Sequence, residues 1–464
     1  MFDFEFDEFD DPAREDALRE LVAAYERHLQ SGTPGYFDAD ALEVIATFYF
    51  EAARFDDALA VVDRALEAQP FASDAWLRRG ILLNHLERHE EALAAYDRAL
   101  AVNPADPETL INRGVTLDTL GRTEEALDAY ERALQVDPVQ ADALFNRGLA
   151  FQRLDRHAEA VEAFRRCAEL DAEHPEVWYE LGFSLDQLDR LAESVDAYDH
   201  QIDLDPYAQN AWYNRGIVLN RMGRYAEAVD SYDFALAISE DFASAWYNRG
   251  NALANLGRTA DAIASYRQVL EYEEGDAATF YNLGLAYDEL EDFPTAVSFF
   301  LRAIQDDPEY ADAWYALGCG YDAMDRYGDA LGAFDRALAL APDEAEYWHA
   351  RADTAYNDGR LGEALAAYHR AVTLDPGSAQ AWLDLAETRL EAGLVADALG
   401  AYARALDLDP DSCDAHLGQA EALSSLGHRE AAVRSLRRAL DLDPSRADDL
   451  RRAYPDLLSD EPRR

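Results

Sequence analysis

Few residues in this chain are arranged to make or break a bond. His85 and His89 stand four apart, with Glu90 and Glu91 following. On one continuous helix that spacing could hold a metal ion. His89, however, falls in a turn between two predicted helices, and the pattern places no third ligand. The pair reads as solvent-exposed, and no metal is expected. Cys167, Cys319 and Cys413 are odd in number and share no spacing, as in a reduced, intracellular chain. No phosphate-cradling glycine loop, HExxH, nucleophile elbow or CxxC is present. The many Asp and Glu neighbours read as helix-surface carboxylates. The expectation is no enzyme and no cofactor.

What the chain does carry is rows of like side chains, each row spaced by 34 residues. One row is aromatic: Phe145, Tyr179, Tyr213, Tyr247, Tyr281 and Tyr315. Beside it run Asn112, Asn146, Asn214, Asn248 and Asn282, interrupted by Glu180. An asparagine amide both accepts and donates, so a row of them could hold a peptide backbone with little sequence preference. A third row is apolar: Ile81, Val115, Leu149, Phe183 and Ile217; it gives way to Asp353, Glu387 and Glu421 further on.

The rows exist because a 34-residue unit repeats twelve times without insertion or deletion. The units are 39–72, 73–106, 107–140, 141–174, 175–208, 209–242, 243–276, 277–310, 311–344, 345–378, 379–412 and 413–446. Counting Ala39 as position 1, position 4 is large (Trp76, Leu144, Trp212, Trp382) and position 8 is small (Ala46, Gly80, Gly148, Ala386). Position 20 is small again, and position 24 is aromatic or aliphatic (Tyr96, Phe164, Tyr232). The spacings 4, 8, 11 and 20, 24, 27 are stripes of two successive helices. Small residues at 8 and 20 let the two axes approach while 4 and 24 fill the flanks. Glycine at position 15, as in Gly121 and Gly223, supplies a left-handed helix end. Proline at position 32, as in Pro70 and Pro104, stops the second helix. Position 32 is Ala172, Glu240 and Glu274 in repeats four, six and seven, and Ser194 and Gln201 break positions 20 and 27. The second helices are expected to run on or bend in that middle region.

"AWYNRG" followed by "EA…Y…AL…P" resembles the idealised unit of the tetratricopeptide repeat (TPR) family, across 39–446. The resemblance implies an all-α, right-handed α-solenoid of twelve helix-turn-helix units, one elongated domain. It also implies that positions 2, 5, 6, 9, 12 and 13 of each first helix line a concave groove. Tyr at 5 and Asn at 6 belong to the idealised unit, so they serve either the ligand or the fold. Position 9 is polar in that ideal, so the apolar row there points to a binding strip, or else to packing between neighbouring first helices. Arg153 and Arg221 at position 13 would add positive charge beside it. Arginine at position 7 (Arg79, Arg113, Arg147, Arg215, Arg249, Arg351) is expected to pack its stem and pair with a carboxylate of the adjacent unit. Family members that clamp a chaperone's C-terminal carboxylate use basic residues at sites such as position 5, which here is aromatic or aliphatic apart from His349.

The ends differ from the array. Residues 1–12 are an acidic tail with Phe2, Phe4, Phe6 and Phe9 alternating with carboxylates, an interaction-tail composition. Residues 13–38 hold a capping helix, with Leu18, Leu21, Val22 and Tyr25 on one face, and a linker broken by "SGTPG". Residues 447–464 hold a C-terminal capping helix and tail.

Charge narrows the partners. The 464 residues carry a net charge of −52 and contain no lysine, all 41 basic side chains being arginine. That composition resembles proteins of extreme halophiles: molar salt cuts the Debye length to about 3 Å and screens carboxylate repulsion. The same charge repels phosphate, so no nucleic acid partner is expected. Neither a basic leader nor an apolar span stands out, so no membrane contact and a cytoplasmic location are expected. The function expected is a non-catalytic scaffold or adaptor that holds an extended peptide or helix of a partner protein in the groove. The alternatives are a regulatory or substrate-recruiting subunit of a separate enzyme, and self-assembly. The chain's own residues 2–9 could occupy the groove in cis or in trans, helped by tethering.

Overall fold

The structure, a computed structural model, describes residues 12–31 and 37–455. Each repeat folds as a helix-turn-helix. In ten of the twelve the first helix fills positions 1–13, and in all twelve the second fills positions 17–30. Ala39–Glu51 with Phe55–Ala68 opens the array, and Cys413–Ser425 with Arg429–Leu442 closes it. The chain divides into two compact units, one ending at Ile238 and the other beginning at Ser239.

Position 15 takes a left-handed backbone in every repeat. Six glycines hold it at φ of 68–78°, and Ala53, Glu87, Asp155, Asp189, Glu291 and Asp325 hold it at 53–59°. The turn is set by the backbone: the N–H of position 16 closes on the carbonyl of position 11 with glycine (Arg122 to Leu117, 2.9 Å) or without (Arg88 to Leu83, 2.8 Å). The non-glycine turns therefore carry strain that the pairing of the helices overrides.

The longer or bent second helices expected in the middle are not found. His157–Leu170, Tyr225–Ile238 and Thr259–Tyr272 stop where the others stop. Proline is not required: repeats six and seven, with Ser239 and Glu273 at position 31 and glutamate at 32, end at the same position. An aspartate at position 31 accepts the N–H two residues on, as Asp171 does from Glu173 (3.1 Å) and Asp205 from Tyr207 (2.9 Å). The irregularity falls on the first helix of repeat five, which starts late as Val177–Gln187. The two polar departures stitch that repeat together. The Ser194 hydroxyl donates to the Gly182 carbonyl at 2.7 Å. The Gln201 amide donates to the Pro175 carbonyl at 2.8 Å and accepts from the Tyr179 N–H at 3.3 Å.

Glycine at position 8 is there for the ring at position 24. A Cβ on Gly80, Gly114, Gly148, Gly216 or Gly250 would lie under 3.0 Å from the ring of Tyr96, Tyr130, Phe164, Tyr232 or Tyr266. Those rings are among the most buried side chains, each worth about 2–3 kcal/mol of burial. Tryptophan at position 4 fastens one repeat to the one before. Its Nε1 donates to the carbonyl of the preceding position 32: Trp76 to Pro70 (2.9 Å), Trp178 to Ala172 (2.9 Å), Trp314 to Pro308 (3.0 Å), Trp382 to Pro376 (3.1 Å). Proline is not needed for this, only the carbonyl. His416, which breaks the row, reaches the Pro410 carbonyl at 3.1 Å with its ring Nε2.

The ends are covered as expected. Pro12–Ser31 lays Val22 and Tyr25 into the core of the first repeats, with Leu18 and Leu21 packed against it. Ala447–Ala453 lays Leu450 against Ala420 and Leu436. No helix among the described residues is long and apolar enough to cross a membrane. The Phe-rich tail, residues 2–9, lies outside the described residues.

Candidate functional site

The aromatic row turns its rings inward. Phe145, Tyr179 and Tyr213 pack on the position-24 rings of their own repeats, with centroids 5.7, 5.9 and 6.1 Å apart. In the second unit Tyr247, Tyr281 and Tyr315 do the same at 6.0, 6.1 and 5.8 Å. Phe145 is buried and the five tyrosines are half-buried, and the hydroxyls of Tyr179, Tyr247 and Tyr315 bond within the chain to Asn214, Asn282 and Glu346. Burial pushes the Tyr179 phenol up, and that of Tyr281 to about 12, so both remain neutral donors and acceptors.

The asparagine row is partly engaged. Asn112, Asn146 and Asn248 donate to carbonyls one turn back, at Glu108 (3.0 Å), Asp142 (2.8 Å) and Ser244 (3.0 Å). Asn214 donates to the Tyr179 hydroxyl and Asn282 to that of Tyr247, both at 3.0 Å. The second pattern links position 5 of one repeat to position 6 of the next. Each amide thus already donates once within the chain.

The apolar row at position 9 separates into three kinds. Ile81 is buried in the core of the first repeats, so packing claims it. Leu149 and Ile217 are half-buried. Val115 and Phe183 stand open at 38% and 37% exposure. His157 lies edge-on to Phe183, centroids 5.9 Å apart.

The positive charge expected beside this row is neutralised. Arg153 pairs with Asp118 of the preceding repeat at 3.3 Å. Arg221 pairs with both Asp186 and Asp189. At position 7 the pairing is as expected. Arg79, Arg113, Arg215 and Arg351 reach Asp63, Asp97, Asp199 and Asp335 of the preceding repeat at 2.5–2.9 Å. Arg147 faces a glutamate at that place, and its buried Nε has no partner among the described residues.

Repeats ten to twelve carry a different face. His349 replaces the position-5 aromatic, Asp353 the position-9 apolar residue, and Asp384 the position-6 asparagine of the next repeat. The His349 ring sits between the two carboxylates, Nδ1 at 3.2 Å from Asp353 and Nε2 at 2.8 Å from Asp384. Hydrogen bonds to Asp353 and then Asp384 raise its pKa to about 10, so at neutral pH it is an imidazolium. These three residues are the metal-capable cluster among the described residues, their ligand atoms within 4.8 Å of one another. Both ring nitrogens serve as donors, so the geometry is that of a charge clamp. The sequence signal for it was three ionisable substitutions in register within two repeats. His85 and His89 are unrelated to it: His85 stacks on Phe55 at 4.7 Å, and His89 meets the Asn84 side chain at 3.2 Å.

Models of known families match along the chain. A tetratricopeptide repeat model matches residues 44–107, 111–175, 247–311, 281–345, 315–379 and 349–412. A TPR repeat model matches 218–257, and a further tetratricopeptide repeat model matches 175–207 and 414–446. No curated protein matches the sequence. Among solved structures, MamA is 27% identical with a TM-score of 0.34, the match covering 35% of this chain and 94% of that one. YrrB, described as a TPR protein with an unusual peptide-binding site, is 23% identical with a TM-score of 0.37, covering 40% and 95%. A chain of the Cut9–Hcn1 hetero-tetramer of the APC/C is 15% identical with a TM-score of 0.42, covering 88% and 95%.

Proposed function

The chain belongs to the tetratricopeptide repeat family, a family of protein-interaction scaffolds, and on that footing we propose that it holds an extended peptide or a helix of a partner protein on its first helices. The observation that carries this reading is the open apolar pair Val115 and Phe183, with Leu149 half-buried in the repeat between them. An apolar strip is costly on a surface this acidic unless something covers it. The tyrosine hydroxyls and asparagine amides beside it supply polar anchors for a backbone. The proposed role is binding. The occupant is a partner's segment or the chain's own residues 2–9.

The test is selection from a random peptide library on the full chain at molar salt, repeated on Phe183→Asp and on Val115→Asp/Phe183→Asp. Selected peptides should carry large apolar anchors and lose tenfold or more in affinity on the double variant, with melting unchanged. Removing residues 1–11 should raise affinity if the tail competes. Selection that yields the same peptides from wild type and double variant would sink the reading.

A further inference from the structure

The last two repeats hold a cleft of about 450 Å³ that the apolar strip does not explain. Tyr402, the position-24 ring of repeat eleven, lines it. In repeats two to nine glycine at position 8 accommodates the position-24 ring of the same repeat. Repeat eleven has Ala386 at position 8, and its ring, Tyr402, lies against Gly418 of repeat twelve. A Cβ on Gly418 would fall under 3.0 Å from the Tyr402 hydroxyl end. Position 6, asparagine in five other repeats, is thus glycine where the phenol needs the room.

Tyr402 is 1% exposed and lines the cleft. Leu417, Leu450 and Tyr454 complete the walls, and Glu387 and Glu421 stand exposed at the lip. Burial, then the charges of Glu387 and Glu421, push the Tyr402 phenol up. Glu421 accepts from the Tyr454 hydroxyl at 3.5 Å, Asp414 pairs with Arg446 at 2.7 Å, and Glu391 accepts from Tyr356 at 2.5 Å.

We propose that this cleft binds an arginine side chain of the partner polypeptide. The inference deepens the reading of the first-helix face as a polypeptide surface and rests on it. A guanidinium stacks on an aromatic wall while its fork reaches carboxylates at two points. The two glutamates supply those points, and the Tyr402 oxygen accepts a further N–H.

Saturation-transfer NMR on the full chain at molar salt tests it, with N-acetyl-arginine amide, N-acetyl-lysine amide and N-acetyl-citrulline amide as probes. The arginine probe should saturate one site per chain and the other two should not. Gly418→Asn should abolish the signal, and Glu387→Gln/Glu421→Gln, both surface changes, should weaken binding about tenfold. Phe183→Asp should leave it untouched, which separates this cleft from the apolar strip. Equal binding of citrulline or lysine, or binding unaltered in the double glutamine variant, would overturn the assignment.

Discussion

Repeats three to six and repeats ten to twelve share one backbone register and present opposite chemistry. In the first group position 9 is Val115, Leu149, Phe183 and Ile217; in the second it is Asp353, Glu387 and Glu421. Position 8 changes with it, from glycine to Ala352, Ala386 and Ala420. The first group keeps each large ring over its own repeat, and its face is apolar with paired arginines. In repeat eleven Tyr402 packs with Ala386 and also lies against Gly418 of the next repeat, and that region's face is acidic with an imidazolium clamp. The lesson is that the interior positions set the fold, while small residues beside them decide what the face can bind.

The largest effect should come from attacking the interior difference. Gly148→Val drives two methyls into Phe164 and should cost about 3 kcal/mol, seen as a lower urea midpoint. Ala386→Gly in repeat eleven should cost only roughly 1 kcal/mol, from helix propensity. Equal costs would mean the two regions pack alike.

The next difference is titration. The folded pKa of His349, about 10, lies above its ordinary value of 6.5. Its proton therefore stabilises the fold fully below about pH 6.5, and that stability is lost as pH rises through 10. The loss should be on the order of 2 kcal/mol after solvent screening. His349→Gln should flatten stability over that window, as read by thermal melts across pH. A wild type whose stability is level between pH 6 and 10 would refute the clamp.

The smallest effect concerns the turns. The first unit holds four non-glycine left-handed turns and the second holds two, Glu291 and Asp325. Asp155→Gly should raise stability by roughly 0.5–1 kcal/mol, whereas Gly393→Asp should lower it by a similar amount. Chemical denaturation of the two variants sharpens the contrast between units.

The fold was legible because period, small residues and large residues all report the same close helix contact. Gly80 and Tyr96 show where it stopped: the spacing set position 8 against position 20 with Tyr96 on the flank, whereas the Tyr96 ring lies directly over Gly80. The terminators were only half legible, because an aspartate such as Asp171 ends a helix through a side-chain bond that no periodicity displays. The site was harder to read. Phe145 and Ile81 share a stripe with Tyr179 and Phe183, but neighbouring repeats bury the first two and leave the others partly open. Burial there depends on what the adjacent helix brings, and a single repeat's pattern does not carry that. Arg153 and Arg221 looked like free charge because their partners, Asp118 and Asp186, lie 35 residues upstream, on the preceding repeat.

We propose that the first-helix face of repeats three to six receives a polypeptide. The direct measurement is photocrosslinking of a selected apolar peptide to the full chain, with p-benzoylphenylalanine placed at Phe183, Val115 or, on the ends of second helices, Leu170 and Leu204. Crosslinks should form from 183 and 115 and be absent from 170 and 204. Yields that are equal at all four positions, or confined to 170 and 204, would contradict it.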